Sequence, residues 1–208
     1  MTTPRLSRVY HVALVGDSVL DNGAYVGSAP DVAANLRKWL PPPSTVTLCA
    51  VDGSTTNDII DQFRCIPADA TDVVLSVGGN DALLNSDLLN LPVRSTAEAL
   101  DVFRARIDAF ANSYTTVVEG LVTLGHSVTV CTIYHGNLGE PDASRAAIAV
   151  TMFNDVILRS AVRYGLGAID LRSVCRKPED FVNAIEPSAI GGGKIAGAIV
   201  SRLEARTM

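Results

Sequence analysis

The sequence predicts an α/β protein: a three-layer α/β/α sandwich around a five-stranded parallel sheet. Three observations carry this. Short apolar runs rich in β-branched residues alternate with longer helical patterns. The runs lack the in–out alternation of a half-exposed sheet, so both faces are covered. Glycine-containing polar turns follow the strands, as strand-to-helix connections require. With 208 residues, 48% of them hydrophobic and 19% charged, the chain has material for a full core. It carries no linker, repeat or low-complexity segment, so a single domain over residues 1–208 is expected.

The first strand is Val9–Val15, ended by Gly16. Asp31 can cap a helix through Leu40, which the triple proline Pro41–Pro43 stops. Val46–Val51 is the second strand. Thr55 or Thr56 opens a helix with Ile59, Ile60, Phe63 and Ile66 on its apolar face. Asp72–Val77 is the third strand. The longest helix starts at Ser95 or Thr96 and ends at Gly125. Its stripe is Leu100, Phe103, Ile107, Phe110, Tyr114, Val117, Leu121 and Leu124. Val128–Ile133 and Ala168–Leu171 are the last strands. Helices of about 143–164 and 190–205 complete the pattern, and Ser188 precedes the second of them.

Ligands of open parallel sheets bind beyond the carboxyl ends of the strands. Those ends carry Gly16-Asp17-Ser18, Asp52-Gly53-Ser54, Gly78-Gly79-Asn80-Asp81 and Tyr134-His135-Gly136-Asn137. Each turn taken singly has a backbone explanation. Together they place a hydroxyl, backbone donors and a neutral amide at one edge. A serine nucleophile needs a sharp turn and donors aimed at the developing oxyanion. Ser18 breaks the first strand, Gly53 lets a substrate oxygen approach its N–H, and the Asn80 amide donates without ionising. Asp17 and Asp81 share the edge as candidate substrate-binding residues.

The ordered blocks Gly16-Asp17-Ser18, Gly53 and Gly78-Gly79-Asn80-Asp81, each after a strand, resemble the SGNH (GDSL-type) hydrolase superfamily over essentially the whole chain. The resemblance implies a flavodoxin-like fold and hydrolysis of esters, thioesters or acetylated sugars without a metal or other cofactor. It assigns Ser18 as nucleophile and Ser18, Gly53 and Asn80 as the oxyanion hole. The chain departs from the last block, Asp-x-x-His-Pro, which supplies the base. Here the stretch is Asn183-Ala184-Ile185-Glu186-Pro187. The chain is also similar to a bacterial subgroup with Gly-Asp-Ser-x-x-Asp-Asn-Gly (Gly16 to Gly23) and an Ile-Glu-Pro-Ser ending, from which no activity carries over.

The double replacement has a physical logic. The triad acid exists to hold an imidazole, and without an imidazole it has no task. Glu186 can accept the serine proton itself. It starts about 3 kcal/mol weaker as a base than histidine, and burial recovers part of that. The alternative is that Glu186 only caps the last helix. His135 lies on the cleft side as a replacement base or a pocket wall, whereas His11 and His126 lie away from the cleft. Asp180 is a further candidate orienter.

Net charge is −5 and no basic cluster exceeds two residues, so neither nucleic acid nor an anionic membrane surface is an expected partner. The run Val9–Val15 is too short for a signal-peptide core or a membrane span, which predicts a cytoplasmic protein. Cys49, Cys65, Cys131 and Cys175 form no metal-ligand pair and read as buried reduced thiols. The leading expectation is a serine hydrolase acting on a small ester or acyl group. The rivals are an inactive fold that binds a ligand, and a metal-assisted phosphoryl-transfer enzyme using Asp17, Asp21, Asp52 and Asp81. Short loops and few aromatics argue against a long lipid chain. Asn154-Asp155 either bonds to a loop or faces solvent. The sequence leaves the oligomeric state open.

Overall fold

The structure, a computed structural model, describes residues 8–206. Five strands, β1 (His11–Gly16), β2 (Thr45–Leu48), β3 (Asp72–Ser76), β4 (Ser127–Cys131) and β5 (Gly167–Ile169), pair in parallel in the order β2-β1-β3-β4-β5. The helices are α1 (Gly23–Val26), α2 (Val32–Trp39), α3 (Ile59–Gln62), α4 (Gly79–Leu84), α5 (Thr96–Thr123), α6 (Asp142–Tyr164), α7 (Leu171–Val174) and α8 (Ala189–Ala205). Alternate residues of β1 serve opposite faces. Val12 and Leu14 pack with Val32, Leu36, Ile195, Ile199 and Leu203 of α2 and α8. Ala13 and Val15 pack with Tyr114, Val117, Leu121, Phe153 and Ile157 of α5 and α6. The α/β/α layering expected from the sequence is therefore present. No helix among the described residues is long and apolar enough to cross a membrane.

Differences from the sequence reading have local causes. Strand β2 ends at Leu48 because the Cys49 and Ala50 N–H groups both turn onto the Leu14 carbonyl, at 2.8 Å each. The helix expected from Thr55 is only α3 followed by a 3-10 turn at Phe63–Cys65. Asp58 takes the Thr55 N–H and hydroxyl, and Pro67 blocks extension. Strand β4 stops before Ile133 because Asn154, fully buried on α6, takes the Ile133 N–H at 2.7 Å and donates to its carbonyl at 2.8 Å. Asn154 thus reaches a loop, while Asp155 pairs with Arg159 on the surface. The α5 stripe is buried only in its middle. Leu100 is 65% and Leu124 43% exposed. Cys65 is exposed, contrary to expectation, and the other three thiols are buried and free.

Candidate active site

The turn after β1 is fixed by one glycine. Gly16 has φ +144°, and a Cβ there would fall 1.9 Å from the Ser76 carbonyl oxygen. Its N–H donates to Gln62 Oε1 and its carbonyl accepts from Gln62 Nε2, both at 2.8 Å. Gln62 also donates to Ser54 Oγ at 3.1 Å. One buried amide therefore clamps the Ser18 turn to the Gly53–Ser54 loop. The Asp17 N–H bonds to Ser76, and the Leu20 and Asp21 N–H groups fold back on the Asp17 carbonyl. Ser18 follows Asp17 into this turn and is 7% exposed.

Asn80 sits in the first turn of α4 and donates through Nδ2 to the Ser54 carbonyl at 2.9 Å. One N–H of the amide is used there, and the other is left for a ligand. Ser54 is adjacent to Gly53, at φ +81° with open space where a Cβ would be. Among the described residues, neither the Ser18 nor the Gly53 N–H is spent on a hydrogen bond. Asp81 accepts the Thr56 N–H and hydroxyl, the latter at 2.6 Å, and so ties the same loop to α4.

Glu186 is held from several sides. Asn183 Oδ1 accepts the Ile185 and Glu186 N–H groups at 2.9 and 2.8 Å. The Tyr134 hydroxyl donates to the Ile185 carbonyl. The Asn137 N–H donates to Ala184 O, and a Cβ at Gly136 would meet that oxygen at 2.5 Å. Asn22, fully buried, accepts the Val32 N–H and donates to the Pro187 carbonyl. It links the Asp-Asn-Gly and Ile-Glu-Pro-Ser motifs across 165 residues. Ser188, not Glu186, caps α8 through the Ile190 and Gly191 N–H groups. The capping role for Glu186 is therefore set aside. Asp180 also differs from expectation. It is fully buried, accepts the Arg176 and Lys177 N–H groups and pairs with Lys194, so it anchors α8 rather than orienting a base.

Ser18, Asp17, Asn80, His135 and Glu186 line one cavity of about 380 Å³. Gly53 does not line this cavity; it lies in a second depression with Asp52 and Ser54, whose carbonyl Asn80 reaches. Asn183, which is exposed, and the half-buried Asp81 do not line the cavity. Leu88, Phe103, Ile133, Val150 and Phe153 continue the cavity as an apolar interior. The sequence reading missed these walls, together with Gln62, Tyr134 and the bridging role of Asn22. His135 is exposed and makes no hydrogen bond among the described residues.

The Ser18 hydroxyl faces Glu186, whose side chain is buried in a residue 7% exposed. Among the described residues no hydrogen bond joins the two side chains. Burial raises the Glu186 pKa, the Ser18 hydroxyl opposes this, and the Asp52 charge adds to the rise. Glu186 Oε2 is buried without a hydrogen-bond partner. Asp17 is pushed up to about 7, first by burial, against the Val19 N–H that lowers it, and then by the charges of Glu186 and Asp81. Asp81 is raised by burial, partly offset by Thr56. A hydroxyl beside a desolvated carboxylate, with amide donors alongside, suits acyl transfer.

The fold and the ordered blocks place the chain in the SGNH/GDSL class of hydrolases. The model of the GDSL-like lipase/acylhydrolase family matches residues 14–190, and the chain belongs to that family. Solved structures similar to it include an extracellular lipase from Streptomyces rimosus and a phospholipase A1 from Streptomyces albidoflavus NA297. Each has a TM-score of 0.73 and 18% identity, over 94% of this chain and 100% of the other. An acetylxylan esterase from Geobacillus stearothermophilus is similar at a TM-score of 0.68 and 14% identity, over 96% of each chain. At these identities the likeness carries the fold. No curated protein matches the sequence.

Proposed function

We propose that the protein is a metal-independent serine hydrolase that cleaves a small ester or acyl group through an acyl-enzyme on Ser18. Glu186 takes the Ser18 proton as Oγ attacks the carbonyl carbon. The oxyanion rests on the Ser18 and Gly53 N–H groups and the free Asn80 N–H. Collapse breaks the ester C–O bond, and Glu186 returns the proton to the leaving alcohol. Water, deprotonated by Glu186, then releases the acid and restores Ser18. The cavity interior receives the acyl group. The sequence-based expectation of a cytoplasmic enzyme is part of this proposal.

The observation that carries the reading is that Ser18, Asn80 and the buried Glu186 line one cavity, with the Ser18 hydroxyl among the groups that act on the Glu186 pKa. A fold that only binds a ligand has no use for two desolvated carboxyls beside a serine, since their burial opposes folding. A fluorophosphonate probe tests it. Intact-mass analysis should show one adduct, mapped to Ser18 and lost in Ser18→Ala. Labelling elsewhere, or none, rejects the nucleophile.

A further inference from the structure

The cavity around Ser18 changes character from rim to interior. Asp142 and Arg145 line it as exposed, charged residues at the rim, paired with each other at 3.3 Å. Leu88, Val150 and Phe153 line it as buried residues and form the interior. Polar groups of the nearby wall are already engaged. The Thr132 hydroxyl donates to Asp170, the Tyr134 hydroxyl donates to the Ile185 carbonyl, and the N–H and carbonyl of Ile133 both bond to Asn154. A sugar hydroxyl would leave hydrogen bonds unmade against such a wall, whereas a hydrocarbon chain has none to lose. On α6 the residues that line the cavity are Ala146, Ala149, Val150 and Phe153, at the spacing of one helix face. The two alanines leave space, and Phe153 closes it. Phe153 has no room to withdraw, because its ring packs on Phe110 at 5.0 Å and Phe110 packs on Tyr114 at 5.5 Å.

We propose that this interior selects the acyl half of the substrate: a medium-chain aliphatic acyl group of about six to eight carbons, admitted by Ala149 and stopped by Phe153. At about 30 Å³ for a carbon-sized group, as for a water in the liquid, the 380 Å³ cavity holds roughly a dozen such groups, the ester atoms included. Glu186 returns the Ser18 proton to the leaving oxygen, so the alcohol half lies toward Glu186 and the exposed His135. The acyl half is left with the interior. This rests on the hydrolase reading of Ser18, and the test separates the two.

The test compares ethyl hexanoate with hexyl acetate, isomers that carry the longer chain on opposite sides of the ester. Native kcat/KM should favour ethyl hexanoate at least tenfold. Among ethyl esters it should rise about fourfold for each methylene added to acetate, as each leaves water for an apolar wall. The rise should end at hexanoate or octanoate, with a fall at dodecanoate. In Ala149→Phe the preference for ethyl hexanoate over ethyl acetate should shrink at least tenfold. Ala146→Leu, one turn earlier on the same helix face, should shrink it too and serves if the first variant does not fold. A preference for hexyl acetate, a maximum at ethyl acetate, a rate still climbing at dodecanoate, or a chain-length profile that folded variants leave unmoved overturns the proposal while leaving the hydrolase in place. Should the native protein hydrolyse none of the esters, their equilibrium binding to it gives the readout. Binding that tightens up to hexanoate or octanoate and weakens at dodecanoate keeps the acyl pocket and removes the hydrolase. Binding indifferent to chain length, or no binding, removes the pocket.

Discussion

Asp17 stands beside Ser18 in a place that costs the fold stability, and its removal gives a measurable return. It is 2% exposed, and its carboxyl is raised from an ordinary 3.8 to about 7. Below pH 3.8 it is protonated whether folded or unfolded, and it costs nothing. Between those values the unfolded chain ionises and the folded one does not. Stability therefore falls as pH rises through this window and levels off above 7. At about 1.36 kcal/mol per pH unit, the loss approaches ~4 kcal/mol, an upper value for one buried carboxyl. Asp17→Asn keeps an oxygen for the Val19 N–H, now 3.1 Å from Oδ1, and removes the ionisation. Urea unfolding should show the variant close to the native protein at pH 4 and more stable by up to ~4 kcal/mol at pH 8. The pH slope between 4 and 7 should flatten in the variant. Parallel slopes would refute the assignment of this titration to Asp17.

Gln62→Leu removes three hydrogen bonds, to Gly16 N–H, Gly16 C=O and Ser54 Oγ, in a buried setting. We expect a loss of about 3 kcal/mol or more by urea unfolding, and a fall in kcat larger than any rise in KM, because the Ser18 turn and the Gly53 loop lose their clamp. Asn154→Ala leaves the Ile133 N–H and carbonyl without their partner. A thermal melt followed by circular dichroism should register roughly 2 kcal/mol of destabilisation, and an unchanged melt would show that water replaces the amide.

The sheet was legible because its strands are nearly continuous β-branched runs, as in Val73-Val74-Leu75, and such runs occur where both faces are buried. The turns were legible because Gly16 and Gly53 sit where the backbone needs positive φ. Strand ends were less so. Side chains distant in sequence set them, as Asn154 does at Ile133 across 21 residues, and periodicity carries no sign of such partners. The same holds at the site. Ser18, Asn80 and Glu186 follow from turn position and block order, whereas Gln62 lies on a short helix with no distinguishing pattern. Asp180, the candidate orienter, and Asn183, which stands where the resembled family has its acid, support backbone N–H groups instead. Part of the apolar cavity wall comes from α5 and α6, where Phe103 and Val150 read as ordinary helix-face residues.

The pairing of Ser18 with Glu186 is tested most directly by the pH dependence of kcat/KM for p-nitrophenyl butyrate in the native protein and in Glu186→Gln. The native profile should rise with pH through a midpoint above the ordinary 4.5 of a glutamate, since burial holds Glu186 upward and the carboxylate is the active form. The variant should lose at least a hundredfold in rate and with it the acidic limb. Native-level turnover in Glu186→Gln, or an acidic limb that survives there, would contradict the account.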